Sequence, residues 1–405
     1  MADRNKAMVR PILGFGVEIE FVSQSLDKRI PDHERRMLYY RKRLVDALQS
    51  GGQQAKPGER KSDADYSMWF ITRDGSLQYE HRFDVGIEAV SPVYNSRDAW
   101  EKKINDFWKA LEKSGIKVKR NHSCGSHVHV APFRKWYCST RLRPPRYNEG
   151  QLKDIAYAVA SQEYLVSHIL PPERLNNRYC QFNSRCVQER WLDYGVNWDF
   201  HQHQRKMLRE QIFYARDEDQ LCHLMQGESR YVVWNFMNIR IPGSGTVEFR
   251  GGRHLEGEKR TKRWVAFALV FIALAIEMEC LYRDEYTSDI ESWWYAMKEQ
   301  AKLLDFAEHL PDRWQDMRED RSLWRSSRQG RFGQGLRRVG STRSLRNPRL
   351  GNRPLGTGPL APPWPRPERN FRDRWNSSKF NKSDFVAMGA LMTVGTLGLR
   401  YLTGL

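Results

Sequence analysis

Three short stretches of this 405-residue chain place charged or imidazole side chains two residues apart. In Val17-Glu18-Ile19-Glu20-Phe21 two carboxylates alternate with three apolar residues. In Ser126-His127-Val128-His129-Val130 two imidazoles alternate with valines, and in Thr246-Val247-Glu248-Phe249-Arg250 a carboxylate and a guanidinium alternate with Val247 and Phe249. A strand turns successive side chains to opposite faces, so each stretch puts its polar pair on one side and its apolar residues on the other. Singly, each has an ordinary explanation as a solvated sheet face, a structural histidine pair or a surface ion pair. Together they predict one sheet with a dry face against helices and a second face carrying Glu18, Glu20, His127, His129, Glu248 and Arg250. That face would repel itself unless a cation and an anion occupy it. Carboxylate oxygens with one or two imidazoles suit Mg²⁺ or Mn²⁺ better than Zn²⁺, which favours Cys/His-rich sites. A guanidinium among them suits a phosphate oxygen whose charge changes during reaction.

The elements that must position these residues are legible in outline. Val17–Val22 alternates as a strand, and a charged helix follows over Asp32–Gln49, ended by Gly51-Gly52. Trp69–Leu77 contains a strand entering the turn Asp74-Gly75-Ser76, and Gly86–Val93 is a strand stopped by Pro92. Arg97–Ser114 reads as a helix with Trp100, Ile104, Phe107, Trp108 and Leu111 on one face and Gly115 just past its end. Asn148 and Gln151 have capping-box spacing for a helix reaching Leu170, which Pro171-Pro172 ends. The run Trp191–Arg230 is polar and helical in propensity. Tyr231–Arg240 and Thr246–Arg250 read as a hairpin covered by a helix over Lys259–Tyr282. The apolar run Trp264–Ile276 within that helix is too short for a bilayer and suits a buried helix.

The formal charge of +18 looks like a nucleic-acid signature until it is located along the chain. Arg321–Lys382 holds 14 Arg and 2 Lys against Glu368 and Asp373, which leaves the rest with the balance of an ordinary enzyme. This stretch is rich in Arg, Pro, Gly and Ser without hydrophobic periodicity, so disorder is expected there. The organisation read from these features is a catalytic domain over 1–310, a disordered linker over 311–383 and an apolar segment over 384–405. Phe385–Leu399 is uncharged for 15 residues and has two readings, a membrane attachment or a partner-docking helix. Six cysteines without a CxxC pair, and a start without a signal-peptide core, set the expectation of an intracellular, cytoplasmic protein with reduced thiols.

Further motifs join the three strands. Gly16-Val17-Glu18-Ile19-Glu20-Phe21, Trp69 through Asp74-Gly75-Ser76, Glu88-Ala89-Val90-Ser91-Pro92, Cys124-Gly125-Ser126-His127-Val128-His129-Val130, Arg178-Tyr179-Cys180, Asn235 and Gly245-Thr246-Val247-Glu248-Phe249-Arg250 occur in this order. In this the chain resembles the amidoligase family of carboxylate-amine ligases, relatives of glutamine synthetase and glutamate-cysteine ligase, over roughly Gly14–Tyr282. The resemblance implies an α+β fold, with the antiparallel sheet of the glutamine-synthetase catalytic type and helices on one face. It also implies an ATP-dependent ligase that joins a carboxylate to an amine through an acyl phosphate, with Mg²⁺ or Mn²⁺ as its ions. Carried over to this sequence, Glu18, Glu20, Glu88, His127 and Glu248 look like metal ligands. His129, Arg178, Asp74 and Ser76 look like nucleotide or substrate contacts, and Arg250 is similar to the arginine that steadies the phosphoryl group in flight. Glu88, His127 and Arg250 are then the catalytic set, with Glu88 accepting the proton of the attacking ammonium. Either imidazole could be the histidine beside the second ion.

Three rival readings remain at this level. A zinc hydrolase built on His127, His129 and Glu248 needs no nucleotide. A nucleic-acid or acidic-partner protein would use the Arg-rich tail, with Trp324, Trp364 and Trp375 for stacking. Cys124 beside the histidines could be a thiol nucleophile, although a small buried cysteine is commonplace. The acid and the amine joined are not encoded in any motif.

Overall fold

A computed structural model describes residues 12–318 other than 25–29, 31, 60–64, 120, 134–144, 176, 187–201 and 279–288. The first strand is twice the length of the expected Val17–Val22: β1 spans Leu13–Gln24. Its odd-numbered residues Leu13, Phe15, Val17, Ile19 and Phe21 are all buried in the core, as strand alternation requires. The other strands are β2 (Ala55–Pro57), β3 (Trp69–Thr72), β4 (Asp84–Val90), β5 (Tyr94–Asn95), β6 (Val118–Lys119), β7 (Gly125–Pro132), β8 (Trp234–Asn235) and β9 (Val247–Arg253). They form one open nine-stranded sheet in the order β2-β3-β4-β1-β7-β9-β8, with β5 and β6 paired to the two ends of β1. The three motif strands are therefore direct neighbours, and β1 sits in the middle.

The pairing is antiparallel except between β2 and β3, which run parallel. The expectation of an antiparallel sheet is corrected to a mixed one. The odd pair is at the edge of the sheet, where the short β2 joins β3 with Ala55 opposite Trp69 and Pro57 opposite Ile71. The class is α+β, as expected.

The dry face packs on the helix Glu258–Glu277, whose residues Trp264–Ala275 are buried on every side. A helix apolar all round must be enclosed, and this one lies against β7 and β1 on one side. On its other sides are the helices Trp100–Lys113, Glu149–Ser161 and Ile290–Leu303. Burial of each large side chain along it contributes roughly 1.5–3 kcal/mol. Phe249 of β9 stacks on Trp264 with ring centroids 5.6 Å apart and meets Phe267 edge-on at 5.1 Å, which fixes the helix over the strand that carries Glu248 and Arg250. Among the described residues no helix is long and apolar enough to cross a membrane.

Local signals are mostly realised. Asp32 caps the helix His33–Ser50 and Gly51 ends it. Asn148 and Gln151 form a reciprocal capping box at the start of Glu149–Ser161, where Gln162 then breaks the expected single helix before Glu163–Ile169. Tyr231–Arg240 gives only the two-residue β8, because Met237–Ile239 winds into a 3₁₀ turn. Its pairing with β9 is as expected, Trp234 opposite Phe249 and Asn235 opposite Glu248. Ordered packing runs past Leu310, since Gln315–Arg318 is helical and Met317 is buried. The Arg-rich stretch from Arg321, the apolar Phe385–Leu399 and the residues 187–201 lie outside the described residues. The chain divides into two units, Met1–Gln334 and Gly335–Leu405, and every described residue falls in the first.

Candidate metal and anion site

The register sets the site. Glu18 of β1 stands opposite His127 of β7, and Glu20 of β1 stands opposite Glu88 of β4. On the other side of β7, His129 faces Glu248 of β9. Directly opposed residues of antiparallel strands share a face. Four strands thus bring Glu18, Glu20, Glu88, His127, His129, Glu248 and Arg250 together opposite the core. All of these except His129 are buried, and Glu88 has no exposed surface.

Two groups of donor atoms result. In one, single atoms from Glu18, His129 and Glu248 all lie within 4.8 Å of one another. In the other, Glu20, Asp74 and Glu88 meet the same limit. Oxygen-rich groups of this kind are what hard divalent cations take.

The two histidines differ in ways the sequence left open. His129 turns Nε2 toward Glu18 Oε1 at 3.3 Å and Glu248 Oε1 at 3.8 Å. Its Nδ1 lies 3.3 Å from Thr246 Oγ1 and 3.4 Å from Asn238 Nδ2, the outer contacts that orient a ligating imidazole. His127, expected among the ligands, belongs to neither donor group. Its Nδ1 is 2.9 Å from Glu18 Oε2, and its Nε2 is 3.7 Å from Glu20 Oε1, so it bridges the two groups. His127 Nδ1 also stands 3.5 Å from Glu248 Oε1, so both imidazoles approach that carboxylate.

Glu248 is held on both oxygens. Arg250 Nη1 donates to Oε1 at 2.6 Å and Asn235 Nδ2 donates to Oε2 at 2.6 Å. Asn235 is fixed in turn by Gln226 Nε2, which donates to its Oδ1 at 2.8 Å. Burial alone would push the Glu248 carboxyl up, but the Arg250 guanidinium, with His129 and His127, holds it well below the usual carboxylate range. Burial would likewise lower Arg250, and Glu248, Glu20 and Glu18 instead raise it above its ordinary value. Four glutamates and Asp74 still outnumber the two buried arginines of this face, Arg250 and Arg174. The surplus of buried negative charge fits divalent cations, and it is this structure's test of whether such ions belong here.

Three other expected contacts are placed differently. Asp74 comes in as a donor beside Glu20 and Glu88, and its Oδ1 accepts the Ser76 N–H at 2.5 Å, so Ser76 joins through its backbone. Arg178 is exposed at the rim. Its guanidinium lies 4.7 Å from the centre of the Tyr179 ring, Tyr179 meets Tyr231 at 5.4 Å, and Arg250 lies 5.9 Å from the Tyr231 ring. A tyrosine pair therefore separates Arg178 from Arg250. Cys124 is buried, and burial with the nearby Glu20 carboxylate pushes its thiol far up, the opposite of an activated nucleophile.

Sequence reasoning missed Arg174, which is buried and donates to the Arg250 carbonyl at 2.6 Å. It also gave no role to Asn235, Thr246 or Asn238. A lone arginine after Pro171-Pro172-Glu173 carries no periodic signal, so nothing in the sequence could have found it.

Residues 11–272 match the model of a family described as "Putative amidoligase enzyme". No curated protein matches the chain.

Proposed function

Taking as premise that the chain belongs to this amidoligase family, a family of ligase-type enzymes, we propose that it forms an amide or isopeptide bond at the expense of ATP. The observation that carries the reading is the pair of largely buried, carboxylate-rich donor groups on one sheet face, with Arg250 of β9 bonded to Glu248 of one of them. Glu18, His129 and Glu248 would hold one divalent ion, and Glu20, Asp74 and Glu88 the other. Mg²⁺ or Mn²⁺ bound there supplies charge neutralisation to phosphate oxygens.

The protein's own share is alignment and electrostatics. Arg250, kept in one orientation by Glu248, faces the γ-phosphoryl group of ATP while an oxygen of the substrate carboxylate attacks phosphorus and ADP departs. The product of that step is an acyl phosphate. Glu88 accepts a proton from the substrate ammonium, the amine so formed attacks the carbonyl carbon, and phosphate leaves. Burial of the face excludes the water that would hydrolyse the acyl phosphate. The tyrosine pair and Arg178 form the rim across which the acid substrate enters.

The test is isothermal titration of the full chain with a non-hydrolysable ATP analogue, with and without Mg²⁺, alongside Glu18→Gln. Mg²⁺-dependent binding that the variant loses supports the ligase. A folded protein that binds no nucleotide rules it out.

A further inference from the structure

Gly125 opens β7 and, two and four residues before His127 and His129, shares their face of the sheet. Its N–H donates to Glu20 Oε2 at 2.7 Å. A methyl group on its Cα would stand 3.2 Å from Arg174 Nη2, 3.3 Å from Arg174 Nη1 and 3.3 Å from His127 Nε2. An added methyl would press on the Arg174 guanidinium, so the glycine gives it room on the functional face, beside the imidazole that bridges the two carboxylate groups.

Arg174 is 1% exposed. Among the described residues no carboxylate approaches within ion-pairing distance of it, and its Nε has no hydrogen-bond partner. Its one strong acceptor is the Arg250 carbonyl, at 2.6 Å. A buried guanidinium with no counter-ion is costly and is normally matched by a carboxylate or a phosphate. The short helix Pro172–Leu175 that carries it packs against β9, and Arg253 of β9 pairs with the neighbouring Glu173 at 3.3 Å, so the side chain is delivered to this place by structure built for it.

The geometry points to Arg174 as a second oxyanion-binding residue of the site, which with Arg250 holds the phosphoryl group of a reactant. The inference rests on the ligase reading for the identity of that reactant and on nothing but Arg174 and Gly125 for the oxyanion itself. A planar guanidinium can grip two phosphoryl oxygens at once, which lysine cannot.

The experiment is calorimetric titration of the full chain, wild type, Arg174→Gln and Arg174→Lys, in Mg²⁺, with inorganic phosphate, ADP and a non-hydrolysable ATP analogue. Melting curves of each variant accompany the titrations. We expect Arg174→Gln to weaken phosphate and the triphosphate analogue by roughly 10- to 100-fold while ADP changes by no more than about threefold. Arg174→Lys, which keeps the charge and is the readout should the glutamine variant not fold, recovers part of that loss. Equal weakening of ADP and the analogue, unchanged phosphate and analogue binding, or a wild type that binds neither phosphate nor analogue would overturn the proposal. Phosphate bound in an Arg174-dependent way without any nucleotide binding would keep Arg174 in its role and defeat the ligase reading instead.

Discussion

His127 touches the carboxylates of both donor groups: Nδ1 stands 2.9 Å from Glu18 Oε2 and Nε2 3.7 Å from Glu20 Oε1. His129, two residues on, faces the Glu18 and Glu248 side. Substitution of the two should therefore separate the ions. Titration of the protein with Mn²⁺, followed by electron paramagnetic resonance, should show two ions in the wild type. His129→Ala should weaken one of them by about 10- to 100-fold, whereas His127→Asn should weaken both by a smaller factor. Identical behaviour of the two variants would mean that the imidazoles are interchangeable and the bridging geometry unimportant.

Glu20 and Glu88 are opposed across β1 and β4 and share their group with Asp74. Without divalent ions three carboxylates, two of them buried and Asp74 half-buried, repel one another. Glu88→Gln should stabilise the metal-free protein by about 1–2 kcal/mol and remove most of the stabilisation that added Mg²⁺ gives the wild type. Thermal melts in chelator and in excess Mg²⁺ check both halves. A variant that is less stable in chelator speaks against the ion group.

The Glu248 carboxyl is depressed in the fold from its ordinary 4.5 to about 2. A lowered folded value contributes stability that is complete above the unfolded value and is lost as pH falls from about 4.5 toward 2. Arg250→Gln removes the main counter-charge and leaves burial opposed only by the weaker pull of His129 and His127, which raises the carboxyl. Its acid-unfolding midpoint, read by near-ultraviolet circular dichroism, should lie roughly one pH unit above that of the wild type.

The β7–β9 register shifts between Ser126 and Val128, and Gly252 faces Ser126 so closely that an added methyl would stand 2.0 Å from its Oγ and 2.7 Å from its backbone oxygen. Gly252→Ala should cost about 1–3 kcal/mol in urea unfolding. The same variant should lose ion binding in the Glu18 group, since the shifted register is what brings Glu248 opposite His129.

Cys124 lies beside Glu20 with its thiol pushed up by burial. In the native protein it should react with iodoacetamide at neutral pH at least about 100-fold more slowly than free cysteine, and Cys124→Ala should keep nucleotide and ion binding. Rapid alkylation would reopen a thiol mechanism.

The three alternating motifs were enough to infer the faces of β1, β7 and β9, because a two-residue period converts sequence directly into side-chain direction. They also identified the buried helix under them from its unbroken apolar run. What the sequence could not yield depends on contacts between distant elements. Asp74 becomes a donor because β3 delivers its turn beside Glu88, and Arg174 reaches β7 from a helix more than forty residues further on, where Gly125 gives it room. The choice between His127 and His129 needed the neighbours Thr246 and Asn238, which lie more than a hundred residues away in sequence. β8 was overestimated because Tyr231–Arg240 is apolar enough for a strand, while the 3₁₀ turn at Met237 is set by the Asn235 oxygen accepting the Met237 N–H.

The strand order also dictates a timetable for synthesis. β1 is the first strand made, yet it ends in the middle of the sheet, and it gains β4 and β7 as soon as the chain has passed Pro132. β7 then waits as an open edge, both histidines on it, until Val247–Arg253 has left the ribosome. At ordinary elongation rates that is on the order of ten seconds. An unpaired strand of alternating valines is a template for wrong partners, so the nascent chain passes through its most adhesive state with the future site half built.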